Sequence, residues 1–129
     1  MPPKRILIVD DNDLVRYLVR TILETQPEFE VCEEAADGIE AIERAAESKP
    51  DLIVLDFSMP RMNGLQTAAN LRDVAPNVPI ILFTLYKDEV PEIKAQAVGI
   101  RAVVSKTGQM GGLLQEVHRV LETPRFATA

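Results

Sequence analysis

Five polar residues stand at the ends of apolar runs, where they could act together on an ion. Asp10 and Asp11 end the first run, Asp56 the third and Thr84 the fourth, and Lys106 follows the fifth. Three clustered carboxylates repel, since two unit charges 4 Å apart cost about 4 kcal/mol at an effective dielectric near 20. Such a cluster needs a proton or a cation. All-oxygen ligands suit Mg²⁺ or Mn²⁺ better than zinc, and Lys106 would supply a second positive charge.

Each of these residues also has a simpler structural explanation. An aspartate after a strand commonly caps the next helix, and we expect Asp13 to cap the helix that starts at Leu14. Taken alone, Thr84 is typical of a structural hydroxyl at a strand end, and Lys106 of a solvated surface lysine. The functional interpretation is favoured because all of them fall on the same edge of one predicted sheet.

Short apolar runs alternate with amphipathic segments along the chain. Strands are predicted within 5–11, 29–35, 51–56, 78–84 and 101–105, and helices within 13–25, 38–48, 64–75, 91–99 and 111–122. This alternation indicates an α/β fold with parallel strands and helices on both faces of the sheet. At this length, an open, doubly wound, flavodoxin-like five-stranded sheet is favoured over a closed barrel. In strand order 2-1-3-4-5 the first and third strands are neighbours, so their terminal aspartates converge on one cleft.

Composition narrows the classes of function. The 129 residues fit one domain, and 14 basic against 20 acidic residues give a net charge of −6, which argues against direct nucleic-acid binding. Cys32 is the only cysteine, so no internal disulfide forms, and we expect it to be an inert, partly buried side chain. No apolar run approaches the length of a membrane span or a signal peptide. A soluble, cytoplasmic protein is predicted.

The motifs, in this order and at these spacings, resemble the receiver domain of two-component response regulators. The resemblance rests on "ILIVDD", on "DLIVLDFSMPRMNG", on the threonine that ends the fourth strand and on the lysine after the fifth. It covers residues 5–122. Residues 1–4 are then an N-terminal extension and residues 123–129 a C-terminal tail.

The resemblance implies specific roles for the site residues. Asp56 would accept a phosphoryl group from a sensor histidine kinase, a phosphotransfer protein or a small phosphodonor. Asp10, Asp11, Asp56 and the backbone carbonyl of Ser58 would hold Mg²⁺. Lys106 and the Thr84 hydroxyl would bind the phosphoryl oxygens. Such a protein is a signalling module and catalyses only its own phosphorylation and dephosphorylation.

The resemblance also implies an output surface, formed by the fourth helix, the fifth strand and the fifth helix. Phosphorylation would shift its conformation and let it bind an effector or a second copy of the chain. The candidate surface positions are Glu92, Lys94, Gln96, Gln115 and His118. We expect His118 to be solvated on the polar side of its helix.

Three positions differ from the common pattern of the family. Leu85 stands where a small residue is usual, and its bulk predicts restricted access to Asp56 and a long-lived phosphorylated state. Val103 stands where an aromatic switch residue is frequent, a role that Tyr86 could partly assume. Thr107 replaces the proline that commonly forms a cis bond after the lysine, so a trans bond is expected.

Two alternatives remain open from the sequence. One is a receiver-like interaction module that does not depend on phosphorylation, which the residues at 85 and 103 favour. The other is a Mg²⁺-dependent phosphatase on a similar fold, but Ser58 stands where that class needs a second acid. The chain is either a stand-alone receiver or a fragment of a longer regulator.

Overall fold

The alternating pattern folds into one sheet covered by helices on both faces. The structure is a computed structural model that describes residues 2–108 and 110–122. The strands are β1 (Lys4–Val9), β2 (Phe29–Ala35), β3 (Leu52–Leu55), β4 (Ile80–Thr84) and β5 (Ile100–Ser105). The helices are α1 (Asp13–Leu23), α2 (Gly38–Ser48), α3 (Gly64–Val74), α4 (Glu92–Ala97) and α5 (Met110–Glu122).

All strand pairings are parallel, and the strand order is β2-β1-β3-β4-β5. This confirms the predicted flavodoxin-like, doubly wound sheet. In the register, Val9 of β1 pairs with Leu55 of β3, and Leu55 pairs in turn with Leu82 of β4. The carboxyl ends of the three central strands are therefore nearly level, and the residues that follow them share one edge.

Two apolar clusters fill the space between the sheet and its helices. Alternate residues of each central strand point to opposite faces, as the period of a strand requires. On one face Val9 and Leu55 pack with residues of α2, α3 and α4, and on the other Ile8 and Val54 pack with α1 and α5. Full burial of such a side chain stabilises the fold by roughly 1.5–3 kcal/mol.

The cap of α1 corrects one prediction. Asn12, not Asp13, is the N-cap residue: its backbone is extended and its side-chain oxygen accepts a hydrogen bond from the Val15 N–H at 3.1 Å. Asp13 is the first helical residue and pairs with Arg16. Both residue types cap helices well, so the pattern alone does not separate adjacent positions.

The region after β4 is less regular than predicted. A single turn of 3₁₀ helix spans Lys87–Glu89, and α4 has only six residues, with Pro91 as its N-cap. Gly99 follows α4 with φ +88°, as expected of a glycine at a helix C-terminus. The peptide bonds of the described residues are all trans, so the predicted trans bond before Thr107 is confirmed.

Other features match the sequence analysis where the structure describes them. Cys32 is half-buried, and burial raises the pKa of its thiol, as expected of an inert side chain. Among residues 2–108 and 110–122, no helix combines the length and apolar character needed to cross a membrane. The predicted tail, 123–129, lies outside the described residues.

Candidate functional site

The sheet brings the aspartates of two neighbouring strands together. The Asp56 N–H donates to the carbonyl of Val9 at 2.9 Å, so Asp56 begins its loop beside the end of β1. The Asp10 N–H donates to the carbonyl of Ala35 at 3.1 Å, at the end of β2. One carboxylate oxygen each from Asp10, Asp11 and Asp56 lies within 4.8 Å of the others. The predicted acidic cluster is therefore present.

Lys106 reaches this cluster from β5. Its Nζ donates to Asp10 Oδ2 at 2.7 Å and lies 3.4 Å from Asp56 Oδ1. Its backbone N–H donates to the carbonyl of Thr84 at 2.9 Å, which fixes the start of the side chain against β4. The side chain is 13% exposed, so the ammonium is a largely desolvated partner of two carboxylates and not a solvated surface charge.

Thr84 is close to the cluster but not yet engaged with it. The residue is fully buried, and its Oγ1 accepts a hydrogen bond from the Tyr86 N–H at 3.0 Å. Among the described residues, its hydroxyl makes no hydrogen bond to Asp56 or Lys106. The structure thus brings Asp10, Asp11, Asp56 and Lys106 together and leaves the Thr84 hydroxyl in a local turn.

The electrostatics of the cleft favour an added positive charge. Burial, and then the neighbouring charge of Asp10, raise the pKa of Asp56 from 3.8 to about 6. Lys106 and the Ser58 N–H, which lies 3.4 Å from Asp56 Oδ1, lower this pKa but do not cancel the effect. The carboxylates therefore repel one another even with the lysine present.

The donor set fits a hard divalent cation. Carboxylate and carbonyl oxygens are the ligands that Mg²⁺ and Mn²⁺ prefer, and both ions commonly keep several waters. Asp11 and Ser58 are exposed, while Asp10 and Asp56 are 3% and 5% exposed. The cluster therefore opens to solvent on one side, in a cleft of about 390 Å³ that has room for a hydrated ion and a phosphoryl group.

A glycine lets the loop after β3 pack closely under Asp56. The Gly64 N–H donates to the carbonyl of Phe57 at 2.7 Å. A Cβ added at Gly64 would lie 2.7 Å from the Asp56 carbonyl oxygen and 2.8 Å from Phe57 Cα. The glycine that ends the "FSMPRMNG" stretch is thus needed for the close approach of α3 to the backbone of the site.

Arg16 is a residue of this site that the sequence analysis missed. Its guanidinium donates to the backbone carbonyl of Asp10 and to the carboxylates of Asp13 and Glu34. The sequence analysis assigned Arg16 no role. Its pairing with Asp13 three residues earlier is a signal that helical spacing could have supplied.

The mouth of the cleft carries Leu85, one of the three unusual residues, and its neighbour Tyr86. Leu85, which is 58% exposed, and Tyr86 both line the cleft. Leu85 therefore lies where its bulk could limit access to Asp56. Its effect on the lifetime of a phosphorylated state stays a prediction.

The predicted output surface surrounds a groove between α4 and β5. The groove has a volume of about 250 Å³, and half-buried Val103 forms part of its wall. Four of the predicted surface positions are exposed: Glu92, Lys94, Gln96 and Gln115.

The expectation of a solvated His118 is wrong. The residue is half-buried, its ring centroid lies 4.7 Å from that of Phe29, and its Nε2 lies 3.3 Å from Gln26 Oε1. It therefore packs against the segment that joins α1 to β2. Helical periodicity could not show this contact, because Gln26 and His118 are 92 positions apart in the chain.

Comparison with known proteins agrees with this geometry. The family model described as response regulator receiver domain matches residues 6–118. The chemotaxis protein CheY of Thermotoga maritima is 32% identical over 117 residues, which cover 91% of this chain and 97% of that protein. A protein-glutamate methylesterase/protein-glutamine glutaminase of Pyrococcus abyssi is 40% identical over 99 residues, 77% of this chain. The matched region is only 27% of that longer protein.

Solved structures give the same result. The response regulator domain of Thermotoga maritima CheB has a TM-score of 0.85 at 28% identity, covering 95% of this chain and 98% of that one. A complex of CheX, CheY, BeF3 and Mg²⁺ from Borrelia burgdorferi also gives 0.85, at 26% identity over 95% of this chain and 92% of that one. The chain therefore belongs to the receiver domains of two-component response regulators.

Proposed function

We propose that this receiver accepts a phosphoryl group on Asp56 in a Mg²⁺-dependent reaction and responds through Thr84 and Lys106. The observation that carries the proposal is the position of the Lys106 ammonium, 2.7 Å from one buried carboxylate and 3.4 Å from a second. Buried carboxylates are costly to desolvate, and a fold without a use for them would leave them exposed to water. The arrangement supports a site built to take up a cation and a phosphoryl group.

The residues fit covalent phosphoryl transfer. A carboxylate oxygen of Asp56 attacks the phosphorus of a phosphohistidine or an acyl phosphate, and the bond from phosphorus to the donor atom breaks. Asp56 reacts in its ionised form, so a positive charge that lowers the raised pKa of Asp56 would favour the reaction. Lys106 neutralises charge on the phosphoryl oxygens as they approach.

Asp10, Asp11, Asp56 and the backbone carbonyl of Ser58 are the groups that would hold Mg²⁺. When bound, the ion neutralises the carboxylates and the transferred phosphoryl oxygens. Asp10 is already held from two sides, by Lys106 and by the Asn12 N–H, which donates to its Oδ1 at 2.9 Å. Hydrogen bonds therefore hold both carboxylate oxygens of Asp10 in place.

The switch follows from two hydrogen bonds that a phosphoryl group would replace. Lys106 would leave Asp10 for a phosphoryl oxygen, and the Thr84 hydroxyl would turn from the Tyr86 N–H toward the same group. Release of Tyr86 frees the short segment that leads into the Lys87–Glu89 turn and α4. The change in charge at Asp56 is thus passed to the surface as a shift between two conformations.

The partners follow from the same chemistry. A histidine kinase or a phosphotransfer protein would supply the phosphoryl group. An effector, or a second copy of the chain, would bind the face formed by α4, β5 and α5. The chain corresponds to only part of the methylesterase relatives, so we propose residues 5–122 as the receiver unit and assign it no esterase activity.

Mass spectrometry after incubation with Mg²⁺ and acetyl phosphate or phosphoramidate tests the proposal. A gain of one phosphoryl group is expected, and EDTA or Asp56→Asn should abolish it. Since Leu85 narrows access for small donors, a histidine kinase is tested in parallel. No adduct from any donor would favour an interaction module that is independent of phosphorylation. Steady turnover of unrelated phosphoesters would favour a phosphatase.

A further inference from the structure

We propose that Arg16 is a positioning residue that orients Asp11 for the cation, acting through the peptide bond between Asp10 and Asp11. The inference rests on the proposed function, because it assigns Arg16 a part in the same Mg²⁺ site. Arg16 does not touch the reacting groups. Its guanidinium instead donates to the backbone of the loop that joins β1 to α1.

The contacts of Arg16 tie that loop to α1 and to β2. One terminal nitrogen donates to the backbone carbonyl of Asp10, and the other donates to the carboxylate of Asp13. Nε donates to Glu34 Oε1 at 3.1 Å. The side chain is 15% exposed, so these bonds are largely shielded from water. All three guanidinium nitrogens are thus used.

Asp11 depends on this support more than the other carboxylates do. Asp10 is held by Lys106 and by the Asn12 N–H, and Asp56 by Lys106 and Ser58. Among residues 2–108 and 110–122, nothing forms a hydrogen bond or ion pair with the Asp11 side chain. The orientation of its backbone therefore determines where its carboxylate points, and Arg16 holds the carbonyl of the peptide bond that leads into Asp11.

Arg16 is itself held by a hydrogen bond to β2. Glu34, at the end of β2, accepts from Arg16 with one oxygen and from Arg20 Nε with the other, at 2.7 Å. The next residue, Ala35, accepts the Asp10 N–H. Both the N–H and the carbonyl of Asp10 are therefore tied to the end of β2, directly or through Arg16.

Charge and positioning predict opposite effects for the loss of Arg16. A positive group near the cleft repels Mg²⁺, so removing the charge alone would tighten Mg²⁺ binding. Loss of a residue that orients a metal ligand typically weakens binding by about 10–100-fold. A weaker affinity in the variant is therefore specific to positioning.

Mg²⁺ affinity measured by isothermal titration calorimetry tests the inference. Arg16→Met should raise the Kd for Mg²⁺ by about tenfold. The matched control is Arg20→Met, which loses a bond to the same Glu34, while Arg20 forms no hydrogen bond or ion pair with the loop among the described residues. Its Kd should change less than about twofold. A Kd for Arg16→Met equal to or below that of the wild type overturns the inference, as does equal weakening in Arg20→Met.

A second variant covers the case in which Arg16→Met does not fold. Arg16→Lys keeps the charge, but an ammonium cannot replace a planar guanidinium that donates to three separate acceptors. The Kd of this variant for Mg²⁺ should therefore still rise about threefold or more. An unchanged Kd in Arg16→Lys rejects positioning. If the wild type takes up Mg²⁺ and a phosphoryl group while the Arg16 variants bind Mg²⁺ normally, only this inference fails. If the wild type binds no Mg²⁺, the proposed function and this inference both fail.

Discussion

The acidic cleft and the groove between α4 and β5 differ in how strongly the fold restrains them. In the cleft, Asp10, Asp56 and Thr84 are at most 5% exposed, and each makes a hydrogen bond or ion pair. Beside the groove, α4 has only six residues, and its Ile93 is 84% exposed. The comparison indicates that substitutions in the cleft change stability and chemistry together, whereas substitutions in the groove change mainly what the surface binds.

The largest effect is expected where the backbone supports the cleft. In Gly64→Ala the new Cβ meets the Asp56 carbonyl oxygen and Phe57 Cα, so α3 or the loop must move. We expect the free energy of unfolding to fall by about 2 kcal/mol and phosphorylation of Asp56 to slow. Urea unfolding measures the first effect, and the rate of adduct formation measures the second.

The matched control for this substitution is Gly112→Ala. Gly112 is exposed in α5, and a Cβ there meets no atom of another described residue within 4 Å. Because alanine favours the helix, this variant should gain about 0.5–1 kcal/mol. A Gly64→Ala protein as stable as the wild type would show that the cleft is less restrained than its geometry indicates.

The second effect concerns the burial of Asp56 and its closeness to Asp10, which together raise its pKa. The fold raises the pKa of Asp56 from 3.8 to about 6. The stability that the protonated carboxyl contributes is therefore complete below pH 3.8 and is lost as pH rises through 6. Asp56→Asn removes this titration. In EDTA, Asp56→Asn should therefore gain about 1–2 kcal/mol more stability at pH 8 than at pH 4.5. This is less than the full pKa shift would give, because solvent on the open side of the cleft screens the charge.

Urea unfolding of both proteins at the two pH values measures that difference. Val103→Thr, a substitution in the groove, serves as the control, and its stability relative to the wild type should not depend on pH. A gain for Asp56→Asn that is the same at both pH values would show that burial and Asp10 do not raise the pKa of Asp56.

The third effect is kinetic. Leu85 is 58% exposed at the mouth of the cleft, so Leu85→Ala should leave the stability within about 0.5 kcal/mol of the wild type. With the cleft more open to water, the phosphorylated state should decay several-fold faster. Decay is followed by mass spectrometry after removal of the donor, with Leu18→Ala, exposed on α1, as the control. An unchanged decay rate would show that Leu85 does not limit the access of water to Asp56.

The smallest effect is expected in the groove. Val103→Tyr places a ring in a space of about 250 Å³, so we expect a change in stability below about 1 kcal/mol and a phosphorylation rate within twofold of the wild type. Calorimetric melting and the adduct assay give the two values. A large loss of phosphorylation in this variant would mean that the two regions are not separable.

The restrained elements were also the ones that the sequence predicted best. Apolar runs that end in aspartate or threonine, or that precede the lysine, predicted four of the five strands, because parallel strands buried on both faces need continuous apolar residues. The same rule predicted the edge on which Asp10, Asp11 and Asp56 meet. The observed strand order places β1 beside β3 and so confirms that these aspartates converge.

Contacts between distant segments could not be predicted in this way. The bond of Arg16 to Glu34 and the packing of His118 on Phe29 join elements far apart in sequence, and periodicity within one helix carries no information about them. The cap of α1 at Asn12 was missed for a different reason. Adjacent Asn and Asp residues are nearly equivalent caps, so only the backbone geometry decides between them.

The position of the phosphoryl group tests the central claim most directly. After reaction with acetyl phosphate and Mg²⁺, or with a histidine kinase, peptide mapping by tandem mass spectrometry should find the group on the peptide that contains Asp56. It should be absent when EDTA is present. A phosphoryl group on another residue, or one whose formation does not depend on Mg²⁺, would contradict the account of the acidic cleft.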